Sequence, residues 1–374
     1  MHLNYQTKKV IFLFILSILF MNLQMIEGQT KSDPLKVGII GLSHSHVHLL
    51  LRRPDIGDIK IVGIAEPNRD LAQRYSDQYG YPMDMVYNTM KEMIAASKPE
   101  AVTVFSSIYN HLSVVETCAP LGIHVMVEKP LAVNMKHAKK MESLAKKYTI
   151  HLLTNYETTW YPTHHKAFAM VNDGNIGDLR KIVVNDGHRG PIEIGVNQEF
   201  LDWLTDPVKN GGGAVTDFGC YGANLITWLN KGEKPEAVMA ITQTIKPEMY
   251  PKVDDEATIV LQYPKMQGII QASWNWPMSR KDIEVYGKHG YIYCKNHEDI
   301  SYRLNEKESE FSKTLKDRPA PYNDPFSFFA AVVNNEIKLA PYDLSSLENN
   351  LIVVEILDAA KKSAKSGRKV KLKK

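Results

Sequence analysis

Between residues 36 and 153 the chain alternates short unbroken apolar runs, rich in β-branched residues, with stretches whose apolar positions recur at helical spacing. The strand-like runs fall at 37–40, 61–65, 101–105, 123–127 and 150–153, with helical periods at 70–79 and 135–147 among those between them. Strands without polar alternation are buried on both faces, and helical crossovers join parallel neighbours. The pattern predicts a doubly wound parallel sheet of the nucleotide-binding (Rossmann) kind over residues 33–155.

After Tyr156 the rhythm changes. A helix is expected over 163–172, ending near Gly174 and Gly177, and another after Gly211-Gly212-Gly213. Longer strands follow at 236–244, 257–263, 268–274, 282–286 and 291–295, with Gly287-Lys288-His289-Gly290 as a hairpin turn. Residues 156–374 therefore read as an α+β domain built on a large, mostly antiparallel open sheet, closed by a helix over 344–366. The whole is α/β with two domains, as the length of 374 residues suits.

Composition adds exclusions. A net charge of +3 gives no basis for a nucleic-acid partner, and the basic cluster at 361–374 reads as a solvated chain end. Residues 1–28 have the layout of a secretory signal: Lys8-Lys9, an apolar run over 10–21, then a polar stretch to Gly28. The run is shorter than the ~20 residues that span a bilayer, so export to the periplasm or the extracellular space is expected, with no stable membrane insertion after cleavage. Cys118, Cys220 and Cys294 fit neither a disulfide framework nor a zinc site and read as free thiols.

Three segments carry candidate chemistry. Glu128-Lys129-Pro130 sets an ion pair at the end of a buried strand, where charges belong only if they face a cleft. Gly41-Leu42-Ser43-His44-Ser45-His46 sits at a strand-to-helix turn, the place for a pyrophosphate, although Ser43 and His46 replace two glycines of the usual fingerprint. Glu66 ends the second strand, where a carboxylate accepts ribose hydroxyls and repels a 2′-phosphate; NAD is expected over NADP, with Arg69 the residue that keeps NADP open. No metal is expected at His44, His46 and His48, since on a helix only His44 and His48 share a face and no carboxylate is near in sequence. Asp217, Tyr221 and Asn224 form one polar stripe at helical spacing, with Leu225 and Trp228 on the apolar side. The Lys129 ammonium is expected to lower the Tyr221 phenol from its usual ~10 and make it an acid/base.

In this order the motifs resemble the glucose-fructose oxidoreductase, inositol dehydrogenase and MocA (Gfo/Idh/MocA) group. They are Val37-Gly38-Ile39-Ile40-Gly41, Ser106-Ser107 with His111, Glu128-Lys129-Pro130, Gly211-Gly212-Gly213-Ala214 and Asp217-x-Gly219-x-Tyr221. The resemblance implies that Gly41, Ser43 and His44 lie along the pyrophosphate, Glu66 on the ribose, and Ser106, Ser107, His111 and Glu128 toward the nicotinamide half. It implies catalysis by Lys129 and Tyr221, with Asp217 holding the substrate. Departures are the altered glycine turn and Thr159, which stands where relatives often carry arginine.

The function expected is oxidation, or the reverse reduction, of a secondary hydroxyl on a sugar or glycoside, with Tyr156, Trp160, His188, Arg189, Trp203 and Trp274 as lining groups. Export away from the cytoplasmic nicotinamide pool implies a tightly held NAD, recycled within one catalytic cycle. Two alternatives use the same residues: a glycosidase working by transient oxidation and elimination, and a non-catalytic nucleotide- or sugar-binding protein. The open sheet implies a homo-oligomer, a dimer or tetramer.

Overall fold

The computed structural model describes residues 33–373, so the signal segment expected at 1–28 lies outside the described residues. Strands β1 (Leu35–Ile40), β2 (Ile59–Ala65), β3 (Val86–Tyr87), β4 (Ala101–Val104), β5 (His124–Glu128) and β6 (Leu152–Asn155) form a six-stranded sheet in the order β3-β2-β1-β4-β5-β6. Every pairing in it is parallel. The order turns back between β1 and β4, and there the carboxyl ends of the strands open a crevice.

The second sheet has nine strands: β7 (Leu179–Gly187), β8 (Ala237–Gln243), β9 (Glu256–Gln262), β10 (Gln267–Ser273), β11 (Arg280–Gly287), β12 (Tyr291–Cys294), β13 (Asp299–Arg303), β14 (Phe311–Thr314) and β15 (Val370–Lys371). Their order is β14-β13-β12-β11-β7-β10-β9-β8-β15, antiparallel except between β7 and β10. A helix buried on all sides, Gly219–Leu229, packs between this sheet and the long helix Leu347–Ser366. At Gly222 an added Cβ would lie 2.5 Å from Ile270, so the glycine lets the helix settle onto β10.

Several expectations shift. β6 starts at Leu152 because Thr149 turns left-handed (φ 54) and the Ile150 amide still closes the preceding helix on Ala145. β7 escapes the sequence reading because its last three residues, Asn185-Asp186-Gly187, look like a turn; the structure buries them, with Asn185 Nδ2 donating to Asp282 at 2.9 Å. The helix Pro325–Val333 also goes unread. Asp324 caps it, and Phe326, Phe328 and Phe329 pack into one core with β1 and β2. Arg53 bridges Asp58 and Asp324, fastening this late segment back onto the first sheet.

Candidate active site

β5 delivers Glu128 and Lys129 to the crevice, both buried. Lys129 Nζ donates to Asp217 Oδ1 at 2.5 Å and to the Asp217 carbonyl at 3.1 Å, while Trp274 Nε1 donates to Asp217 Oδ2 at 3.0 Å. Asp217 sits at the end of a one-turn helix, Ala214–Asp217, whose start explains the glycine triplet. Gly211 has φ +84, and a Cβ on Gly213 would lie 1.7 Å from the Asp254 carbonyl oxygen. The Asp254 carboxylate then accepts the amides of Gly213 and Val215 at 3.0 and 2.6 Å. Burial opposes both charges of the Lys129–Asp217 pair, yet each holds the other ionised, the lysine above its ordinary range and the aspartate below it.

Tyr221 lies one turn further on. Its ring stands edge-on to Tyr156 (centroids 5.4 Å), and the ammonium groups of Lys129 and Lys281 each lie 5.1 Å from its centroid. Burial, reinforced by Glu157 and Asp186, pushes the phenol well above its ordinary range. This reverses the expected lowering by Lys129, and Tyr221 stays protonated. The predicted stripe is also broken: the helix is interrupted at Phe218, and Asn224 points away, donating to the Leu344 carbonyl at 2.8 Å. Asp217 positions Lys129 and Trp274 through one hydrogen bond to each of its oxygens, and each oxygen keeps a second lone pair for the substrate hold expected of it.

Of the lining residues, Tyr156 is fully buried beside Tyr221 with its hydroxyl unpartnered among the described residues. His188 reaches the site, its ring edge-on to Phe218 at 4.8 Å and its Nδ1 accepting the Gly190 amide. Trp160 faces elsewhere. It stacks edge-on against Phe328, lines a separate cavity of about 280 Å³ with Trp228 and Arg318, and donates to Asn155 at 3.1 Å. Arg189 is exposed, its carbonyl accepting from Lys246. Trp203 roofs the glycine turn, donating to Ser43 Oγ at 3.1 Å beside the His44 ring.

Three groups near the site were not foreseen. Asp186 and Lys281 face each other across β7 and β11, and Lys281 pairs with Glu157, which also accepts the Tyr161 hydroxyl. Burial pushes the Asp186 carboxyl well above the carboxylate range. The signal for Asp186 in the sequence was the polar pair Asn185-Asp186 closing an apolar run, at the end of the strand that went unread.

At the nucleotide end the residues fit a dinucleotide. Gly41 has φ +78, and a Cβ there would lie 2.9 Å from Ser106 Cβ, so the turn is tight enough for close backbone approach. Glu66 is buried, and its two oxygens accept the Leu42 and Asn68 amides, each at 2.8 Å. Each keeps a second lone pair for a ribose hydroxyl. Arg69 donates to the Val86 carbonyl at the rim of an open groove with Tyr87 and Asn88. Ser106 Oγ and His111 Nε2 are buried without partners among the described residues, and Ser107 is buried beside them. Such atoms are what a bound carboxamide or phosphate would satisfy. Burial also pulls His111 down to about 4, so it is neutral at physiological pH.

The first turn departs from a plain glycine loop. His46 Nδ1 lies 2.9 Å from Glu128 Oε2, and His44 Nε2 lies 3.9 Å from the same oxygen. Glu128, 82 residues away along the chain, is the carboxylate that the sequence neighbourhood lacked. His48 is turned aside, bonded to the hydroxyls of Tyr79 and Tyr75.

Comparisons agree with this geometry. Residues 35–156 match the oxidoreductase family with an NAD-binding Rossmann fold, and residues 164–293 match the GFO/IDH/MocA C-terminal domain. Trans-1,2-dihydrobenzene-1,2-diol dehydrogenase of Xenopus tropicalis is 24% identical over 330 residues, 85% of this chain and 94% of the relative. Myo-inositol 2-dehydrogenase of Thermotoga maritima is 24% identical over 343 residues, 90% of this chain and 98% of that enzyme. Among solved structures, aldose-aldose oxidoreductase from Caulobacter crescentus superposes with a TM-score of 0.77 at 21% identity, covering 91% of this chain and 100% of its own. An inositol dehydrogenase homolog from Azotobacter vinelandii, complexed with NAD+, also gives 0.77, at 16% identity and over 91% and 98% of the two chains. Matched in both halves and built on the same two sheets, the chain belongs to the Gfo/Idh/MocA family of NAD-binding oxidoreductases.

Proposed function

We propose that this protein oxidises a secondary hydroxyl of a sugar or glycoside, or reduces the corresponding ketone. The observation that carries the reading is the buried Lys129 ammonium, fixed by Asp217 and Trp274 at the strand end where the crevice opens. Bound NAD supplies the hydride acceptor. Lys129 holds the reacting oxygen and stabilises negative charge on it. Tyr221, flanked by the Lys129 and Lys281 ammonium groups, is the acid/base: the phenol gives its proton to the ketone oxygen in reduction, and the phenolate takes the hydroxyl proton in oxidation. Ser106, Ser107 and His111 would hold the nicotinamide end, and Gly41, Ser43, His44 and Glu66 the remainder.

A tightly held cofactor is part of the proposal. It is supported by the helix Gln198–Leu204, whose Phe200 and Trp203 pack on His44 and cover the glycine turn. Export is supported by the sequence of residues 1–28 alone. A homo-oligomer is supported by the outward positions Met239 and Ile241 on β8, both exposed. Among the described residues no helix is long and apolar enough to cross a membrane.

The test begins with acid-denatured, freshly purified protein, from which mass spectrometry should identify NAD. The native protein is then screened on glycosides for keto-sugar products. Protein that binds neither NAD nor NADP, or that forms no ketone from any glycoside, would sink the reading. Redox-assisted glycoside cleavage draws support from Asp186, a carboxyl that burial pushes toward its protonated form, the form that donates to a departing oxygen. Free sugar released without net reduction of NAD would select it.

A further inference from the structure

The cavity beside Trp160 lies apart from the crevice. Its volume of about 280 Å³ is the share of roughly nine water molecules in the liquid, room for one ring with a small substituent. Its walls come from three parts of the chain: the turn Glu157–Trp160 with the helix Pro162–Asn172 behind it, the helix Gly219–Leu229, and the segment 318–343. Aromatic faces dominate them. Phe168 and Trp228 are stacked, with centroids 4.3 Å apart and planes 7° from parallel, and Trp160 stands edge-on to Phe328. Such a lining takes a flat apolar body.

Polar groups on the same walls are short of partners. Arg318 is half-buried against the Tyr322 ring, and Nη1 carries its hydrogen bonds, to the Tyr322 carbonyl at 3.2 Å and toward His165 Nε2 at 2.8 Å. That imidazole nitrogen also lies 2.8 Å from the Thr159 carbonyl. A guanidinium only donates and a carbonyl only accepts, so the nitrogen serves one of them and leaves the other unmet. The Nε and Nη2 edge of Arg318 has no hydrogen bond among the described residues, and no carboxylate among them reaches it at ion-pair distance. Asp343, the one acid on the cavity wall, accepts the Ser345 amide at 3.0 Å instead. The Thr159 hydroxyl is buried and unpartnered among the described residues, and Lys338 adds an exposed second cation.

We infer that this cavity is a binding site for an aromatic carboxylate, with the ring among the aromatic walls and the charge taken by Arg318. The two N–H groups along the free edge of the guanidinium match the two oxygens of a carboxylate. The Thr159 hydroxyl is a further donor for an anion. A sugar suits the cavity less well, because its hydroxyls would need partners that Phe168, Phe328, Ile337 and Leu339 do not offer.

The test titrates benzoate, benzamide and acetate into the full-length protein, followed by calorimetry and by the fluorescence of the tryptophans, two of which line the cavity. Benzoate should bind and quench. Benzamide keeps the ring without the charge and should bind ~10-fold or more weakly, and acetate should give no signal. Arg318→Gln should bring benzoate down to the affinity of benzamide. Ala340→Phe fills the cavity from an exposed wall position with Arg318 left in place, and should abolish binding; it decides the matter if the first variant does not fold. The inference is overturned if benzoate does not bind at millimolar concentration, if benzamide or acetate binds as tightly, or if either folded variant binds benzoate as the wild type does.

Discussion

Asp217 and Glu128 are both buried carboxylates braced by an indole, yet they are built for opposite tasks. Trp274 donates directly to Asp217, whose other oxygen takes the Lys129 ammonium. Trp160 braces Glu128 through Asn155, and the remaining oxygen takes an imidazole. A lysine partner fixes a permanent positive charge beside the reacting oxygen. A histidine partner ties the turn after β1 to the end of β5 through one 2.9 Å hydrogen bond. Both assemblies meet at the end of β5, one holding a charge there and the other fastening the turn after β1 to it.

The largest effect should come from breaking the charged half. Lys129→Ala should lower turnover by ~10³-fold or more and destabilise the protein by ~3–5 kcal/mol, because Asp217 is left buried and unpaired. The double variant Lys129→Met/Asp217→Asn should recover most of that stability in urea unfolding and none of the turnover. A single variant no less stable than the double would show that the pair is not held as described.

Tyr221→Phe comes next, with turnover down by ~10²-fold or more. Its stability should change by less than about 1 kcal/mol, since phenylalanine keeps the edge-on ring contact with Tyr156. A large fall in the urea midpoint would mean that the hydroxyl is tied into the fold.

Acid titration separates the two halves. His111 is neutral in the native protein down to about pH 4 because of burial. Unfolded histidine titrates near ~6.5, so between those values only the unfolded chain binds the proton, and stability should fall as pH drops through that window. Asp217, held below the carboxylate range, keeps its contribution until pH falls through its native value, under ~4. The Lys129 contribution is complete below ~10.4 and is lost only as pH rises above that. Urea midpoints should therefore decline first between pH 6.5 and 4, and His111→Gln should reduce that slope by one histidine's share, since burial also holds His124 and His164 at about 4. An unchanged slope in the variant would assign the loss to other groups.

Smaller effects sharpen the comparison. Trp274→Phe removes a hydrogen bond to a charge and should cost ~1.5–3 kcal/mol, whereas Trp160→Phe removes one to an amide and should cost ~1 kcal/mol. Equal costs would mean that the two indoles brace equivalent partners. Arg189→Ala should stay within about 0.5 kcal/mol and leave KM nearly unchanged, as suits an exposed side chain.

The sequence alone determined the alternation of buried strands and helices, the tight turn at Gly41, the strand-end charges at Glu128-Lys129 and the glycine triplet before Asp217. These are written in neighbouring residues: side-chain period, turn chemistry and the steric freedom of glycine act over a few positions. The tertiary structure decided what those residues do. Lys129 meets Asp217 across 88 residues and His46 meets Glu128 across 82, distances in sequence that only sheet order and domain packing close. Burial then reversed the expectation for Tyr221, because a phenol's acidity depends on what solvates it. It also made Asp217 the anchor of a lysine, since a buried carboxylate takes whichever donors the fold brings within reach.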